Sequence, residues 1–442
     1  MFGYDSGVIN GTQEGLRMTF GLTELGMGLS VGAILVGCAV GAFIAGRISD
    51  LIGRRRVMML AALLFILSAI GTGAAHTSSV FFFARFIGGL GVGAASVISP
   101  VYISEVVPAN IRGRLSSVQQ IMIIAGLTAA FIANYLFAAY AGSSTSSFWL
   151  DYPAWRWMFW AQLVPASIYL VAIIPIPESP RWLVMKGRDD EAARVLTKLI
   201  GPSAAQTKVA EIRASLSSDA GQPSLLDLRD PQSGRLRRVV KAGIGIAIFQ
   251  QLSGIVVVFY YGAVLWQSVG FSENDALKIN ILSGSLSIIS CLVAISVIDH
   301  LGRRPLLLWG GIGKAVALAV MAVCFSTVTF VDGIPHLSDG VGLVALIAAN
   351  VFVMIFNGTW GPVMWVMLGE MFPNQIRGSG LAVSGAAQWG ANFTMTFSFP
   401  VLAAGIGLSF TYGIYAVFSL IAFFFVARMV VETRGRELED MK

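Results

Sequence analysis

The chain has 442 residues, 56% of them hydrophobic and only 12% charged, against about 25% charged in an ordinary soluble domain. A mean hydropathy of +0.75 excludes a water-soluble enzyme, because lipid must solvate most of these side chains. The net charge of +6 sits in clusters between apolar runs, which marks membrane topology and excludes a nucleic-acid-binding face.

A spanning helix needs ~20 mostly apolar residues. The segment from Met1 to Gly11 reads as the second half of a spanning helix whose first half the sequence lacks. Eleven full spans are predicted near 24–46, 57–75, 79–102, 115–139, 157–177, 240–265, 276–298, 305–329, 340–368, 379–404 and 409–431. Lys and Arg crowd the connections around 47–56, 112–114, 181–238, 303–304 and 377 and the tail from 434, whereas those near 76, 140–152, 270 and 332–339 hold none. The basic side is therefore expected to be cytoplasmic, with the C-terminus, in a multi-pass protein of the cell membrane. Residues 178–237 form a soluble linker. Within it Asp189 to Ile200 predicts a helix, with acids in its first turn and Lys198 in its last, and Ser224 to Leu228 is a second candidate. Cys38, Cys291 and Cys324 stand alone inside apolar segments and the three histidines are isolated, so neither a metal site nor a cofactor is expected.

The punctuation between spans occurs twice. Asp50-Leu-Ile-Gly53-Arg54-Arg55 returns as Asp299-His-Leu-Gly302-Arg303-Arg304. Glu105-Val-Val-Pro108-Ala-Asn-Ile111-Arg112-Gly113 returns with the same spacing as Glu370-Met-Phe-Pro373-Asn-Gln-Ile376-Arg377-Gly378. Pro177-Glu178-Ser179-Pro180-Arg181 closes the first half, and Val431-Glu432-Thr433-Arg434 the second. Duplicated halves are the mark of a transporter that rocks about a central site. The units are a bundle over 1–177, the linker over 178–237, a second bundle over 238–433 and a tail over 434–442.

Two charges lie where lipid should be, and each costs about 2.5–3.5 kcal/mol at mid-bilayer on insertion scales. Arg85 follows Phe81-Phe82-Phe83-Ala84 well inside a span, and Asp5 falls in Phe2-Gly3-Tyr4-Asp5-Ser6. Their pairing would take and release a proton. Uncharged polar residues also lie within spans: Gln120, Gln250, Gln251, Gln388 and Asn392, with Trp389 beside Gln388 and Trp365 after the helix-breaking Gly361-Pro362. Amides match vicinal hydroxyls and aromatic faces match the C–H face of a sugar ring, so a polyhydroxylated ligand is predicted.

On these residues the chain resembles the sugar porter family of the major facilitator superfamily over its whole length. The resemblance rests on Gly53-Arg54-Arg55, Pro177-Glu178-Ser179-Pro180-Arg181-Trp182-Leu183, Gln250-Gln251-Leu252-Ser253-Gly254 and Glu432-Thr433-Arg434-Gly435. Trp360 to Val366 and Ala386 to Asn392 resemble bacterial proton symporters of the D-xylose type. The resemblance implies an all-α membrane protein of the major facilitator fold, two six-helix bundles related by a pseudo-two-fold axis. It implies a monosaccharide and protons as substrates, alternating access, and a protein that functions as a monomer. It places Gln120, Gln250, Gln251, Tyr260, Ser287, Trp365, Gln388 and Trp389 at the sugar, with Phe2 as a lid. It makes Asp5 and Arg85 the proton-coupling pair. Asp50, Arg54, Glu105, Arg112, Asp299, Arg303, Glu370 and Arg377 would gate the cytoplasmic side.

Three positions depart from the family pattern. Val256 and Ser287 stand where relatives carry Asn, and Leu127 where close relatives carry Gln. A less polar pocket suggests a substrate with fewer hydroxyls at that edge, such as a pentose. The alternatives are a facilitator, a proton-coupled porter for a polyol or cyclic acid, and more remotely a sensor that binds sugar without moving it.

Overall fold

Apolar runs of this length satisfy their backbone in lipid by closing every hydrogen bond within a helix. A computed structural model describes residues 1–107, 109–218, 228–230, 234–331, 334–373 and 376–434, with the side chains of 109–117, 215–218, 299, 330–331, 334–335, 339 and 377 outside the description. The chain opens with α1 (Phe2–Val8), a 3-10 turn (Ile9–Gly11) and α2 (Gln13–Phe20). The first bundle continues with α3 (Glu24–Ile52), α4 (Arg54–Ala74), α5 (Ser78–Val106), α6 (Ala109–Ala141), α7 (Ala154–Trp160) and α8 (Leu163–Ile173). The linker carries α9 (Pro180–Met185), α10 (Asp189–Ile200) and α11 (Pro202–Ser218). The second bundle holds α12 (Arg238–Leu252), α13 (Ile255–Gln267), α14 (Glu273–Leu301), α15 (Arg303–Ser326), α16 (Asp339–Gly358), α17 (Trp360–Met371) and α18 (Arg377–Met429). A short antiparallel ribbon, β1 (Thr329–Val331) on β2 (Ile334–His336), precedes α16.

Among the described residues, ten helical stretches are long and apolar enough to cross a membrane. The last one turns at Gly407, whose φ of 82° suits only glycine, and so supplies two crossings where the sequence predicts 379–404 and 409–431. Three other expected spans are single crossings broken in the middle. Gly254 (φ 78°) separates α12 from α13. Pro165 and Pro362 have no N–H to give the residue four back, and the helices part just ahead of them, at Ala161–Gln162 and at Thr359. The predicted break at Gly361-Pro362 thus falls slightly earlier, and Pro362 sits harmlessly in the first turn of α17.

Helices α3 and α5 approach through glycine. A methyl group on Gly37 would collide with the Phe86 carbonyl, and one on Gly89 with that of Ile34. The outward faces are apolar, with Phe43, Trp309 and Phe410 more than 70% exposed, a belt that suits lipid and would aggregate in water. The halves meet where α3 lies on α18 and α6 on α14. In the linker, α9, α10 and α11 share a small core of Trp182, Leu183, Val184, Ala192, Leu196, Ala205 and Val209. α10 is the predicted helix; α9 and α11 were not foreseen, and Ser224 to Asp227 lies outside the described residues.

Candidate functional site

The two intramembrane charges predicted to pair do meet. Arg85 donates from Nη1 to Asp5 Oδ1 at 2.7 Å and to the Asp5 carbonyl at 3.1 Å. Asp5 is 0% exposed and Arg85 1%. α1 brings the carboxylate and α5 the guanidinium; Gly88, one turn beyond Arg85, leaves room, since a Cβ there would stand 3.2 Å from Asp5 Oδ2. Gln162, at the α7–α8 break, also faces the carboxyl. Among the described residues Asp5 Oδ2 and Arg85 Nε and Nη2 have no hydrogen-bond partner. A buried pair with spare capacity can exchange charge for a proton at less cost than a fully forked one.

In the second bundle Gln250 Nε2 donates to the carbonyls of Trp360 at 3.2 Å and Gly361 at 3.4 Å, which the helix break brings within reach. Gln251 Nε2 donates to Gln250 Oε1 at 3.0 Å. Among the described residues the acceptors Gln251 Oε1 and Gln388 Oε1 are buried and unpartnered, so a hydroxyl donor would be welcome at both. Trp389 lies 6.0 Å from Phe2, ring to ring, which joins the last bundle helix to the first residues of the chain. The Tyr260 hydroxyl faces Ser6 in one half and Asn392 in the other. Trp365 is 43% exposed on a largely buried helix, and Gln120 is half-buried on α6. Val256 is buried at the start of α13. Ser287 spends its proton on the Ser283 carbonyl at 2.7 Å and accepts from Asn357 Nδ2 at 3.2 Å, which ties α14 to α16.

At the end of the bundle poor in Lys and Arg, the halves are stitched together. Asn10 Nδ2 donates to the Phe259 carbonyl at 2.7 Å, and its Oδ1 accepts from Ala263 N and Asn280 Nδ2, each at 2.9 Å. Gln13 donates to the Tyr260 carbonyl at 2.5 Å. Gly28 lies directly against the Phe397 backbone, and Ser144 N donates to Glu273 at 3.0 Å. This conformer is closed at that end.

At the basic end the twofold repeat becomes geometry. Arg54 forks onto Glu105 at 3.0 and 3.2 Å and also reaches Asp50 at 2.9 Å. Arg303 forks onto Glu370 at 3.0 and 2.8 Å. Glu178 accepts from the Arg54 amide at 3.0 Å, as Glu432 accepts from the Arg303 amide at 3.0 Å. Ser179 and Thr433 donate to Glu105 and Glu370 at 2.5 and 2.6 Å. Carboxylates on the first amides of α4 and α15 suit the positive helix ends. Burial works against the Glu432 charge, yet amides of Arg434, Arg303, Arg304 and Thr433 outweigh it and hold the carboxyl below its ordinary range. These pairs run within each half. The side chains of Arg112, Asp299 and Arg377 lie outside the described residues.

Sequence reasoning missed Asn10, Gln13, Asn280 and Gln162, although polar side chains inside apolar runs were the signal it used elsewhere. It also passed over Lys314, a charge in the middle of α15.

Two like bundles, stitched together at one end and carrying matched arginine–glutamate clusters at the other, define a membrane transporter of the major facilitator class, not an enzyme. The chain belongs to the sugar (and other) transporter family, which matches residues 1–442. It is 46% identical over 442 residues to a glucose transport protein of Synechocystis sp., covering 100% of this chain and 94% of that protein. It is 35% identical over 478 residues to the D-xylose-proton symporter of Escherichia coli, covering 100% and 92%. The solved xylose transporter of E. coli in its inward open conformation superposes with a TM-score of 0.82 at 34% identity, over 100% of this chain and 95% of that one.

Proposed function

We propose that this chain is a proton-coupled monosaccharide symporter of the cell membrane, with its basic end and C-terminus cytoplasmic. The observation that carries the reading is the sealed, incompletely bonded Asp5–Arg85 pair. A proton taken up by Asp5 removes the charge that Arg85 holds, and the bundle then turns about its centre. Sugar binds to Gln250, Gln251 and Gln388, with Gln120 from the opposite half and the rings of Phe2, Tyr260, Trp365 and Trp389 around it. With the basic end cytoplasmic, the stitched end is extracellular and the conformer faces inward. The Arg54 and Arg303 clusters, with Arg112, Asp299 and Arg377, then exchange partners as the cytoplasmic side closes. Uptake by the unmodified chain and by Asp5→Asn tests this: the variant should exchange sugar across the membrane but fail to accumulate it.

The similarity to a glucose transport protein and to a D-xylose symporter supports a hexose or a pentose. The bulk and apolarity of Val256 favour the smaller sugar.

A further inference from the structure

The second bundle contains a charge with no role in the mechanism above. Lys314 is 0% exposed in the middle of α15. Its Nζ has no hydrogen-bond partner and no carboxylate beside it among the described residues. It lies instead 3.9 Å over the Trp360 ring centroid and 5.5 Å from that of Phe356. Phe356 belongs to the last turn of α16 and Trp360 is the first residue of α17, so one amine spans the break at Thr359.

We propose that Lys314 is a positioning residue that sets sugar affinity from outside the pocket by fixing the α16–α17 break. This rests on the sugar-site reading above. The Trp360 ring is held from two sides, by the Lys314 amine and by its own Nε1 donating to the Leu307 carbonyl at 2.9 Å. The backbone of that same residue supplies the carbonyl, with that of Gly361, that receives Gln250 Nε2. Gln250 in turn orients Gln251, whose Oε1 waits unpartnered. Ring, carbonyl and amide thus form a continuous line from Lys314 to the sugar. A lysine amine sealed inside a membrane bundle, with no hydrogen-bond partner among the described residues, works against stability, and methionine would fill the same volume without that cost. Lys314 therefore stabilises one arrangement of the break, not the fold.

The test is equilibrium binding of D-glucose and D-xylose to the purified full chain in lipid nanodiscs, with melting temperatures measured on the same samples. Lys314→Met should weaken binding several-fold through loss of the amine–ring contact, with a melting temperature equal to or above that of the unmodified protein. Lys314→Arg should restore most of the affinity. In a Gln250→Ala background Lys314→Met should change affinity less than about twofold, since its line of action is already cut. Unchanged affinity overturns the proposal; so does affinity that falls together with melting temperature, or an equal loss in the Gln250→Ala background. Should Lys314→Met yield no folded protein, Trp360→Phe leaves a weaker ring beneath the amine: a loss of about threefold supports the proposal, and no loss overturns it. An unmodified protein that binds neither sugar overturns the sugar reading itself, and this proposal with it.

Discussion

Asp5 receives one nitrogen of Arg85 at 2.7 Å, and its other oxygen has no hydrogen-bond partner among the described residues. A carboxylate and a guanidinium could share two parallel bonds, but here they share one. Asp5→Asn should abolish gradient-driven accumulation while leaving sugar counterflow within about twofold. Counterflow reads the rocking motion alone, so the pair of assays separates coupling from transport.

Arg85→Gln leaves the Asp5 carboxylate buried without its partner, which costs about 3–5 kcal/mol. Its melting temperature in detergent should fall well below that of the unmodified protein. Adding Asp5→Asn should recover most of the loss, because the uncompensated charge is then gone.

Asn10 serves as donor once and acceptor twice across the two halves. Asn10→Ala should loosen the seal at the end poor in Lys and Arg. Labelling of a Ser144→Cys protein from that side should then rise several-fold.

Val256→Asn would place an amide at the start of α13, near the proposed sugar site. Uptake of a hexose relative to a pentose should increase, by about fivefold for one added hydrogen bond. An unchanged ratio would remove Val256 from the account of selectivity.

Glu432 is held below the ordinary carboxyl range by backbone amides. Its contribution to stability is therefore complete above the unfolded value and is lost as pH falls through the lowered folded one. The melting-temperature gap between the unmodified protein and Glu432→Gln should be constant near neutrality and close in acid.

Much of this was legible in the sequence because lipid imposes few solutions. The Gly53-Arg54-Arg55 and Gly302-Arg303-Arg304 repeat gave the two halves, and Asp5 and Arg85 had to find each other because nothing else nearby could compensate them. What escaped depended on the third dimension. Gly254 breaks a helix whose hydropathy runs on without interruption, the break expected at Gly361-Pro362 falls earlier at Thr359, and Pro165 acts four residues before itself. Asn10 sits in a turn that looks like helix, and its role appears only when α13 and α14 are set against it. Ser287 looks like a ligand by position, yet its proton is already committed to Ser283. Lys314 was readable as an intramembrane charge, but its partner is a ring, and aromatic partners leave no mark in a charge pattern.

The most direct test of the whole account is uptake of labelled glucose and xylose into proteoliposomes with and without an inward proton gradient. The account predicts accumulation above equilibrium that needs the gradient and disappears in Asp5→Asn. Equilibration to the same level with and without the gradient would contradict it and leave Asp5–Arg85 as a structural pair in a facilitator.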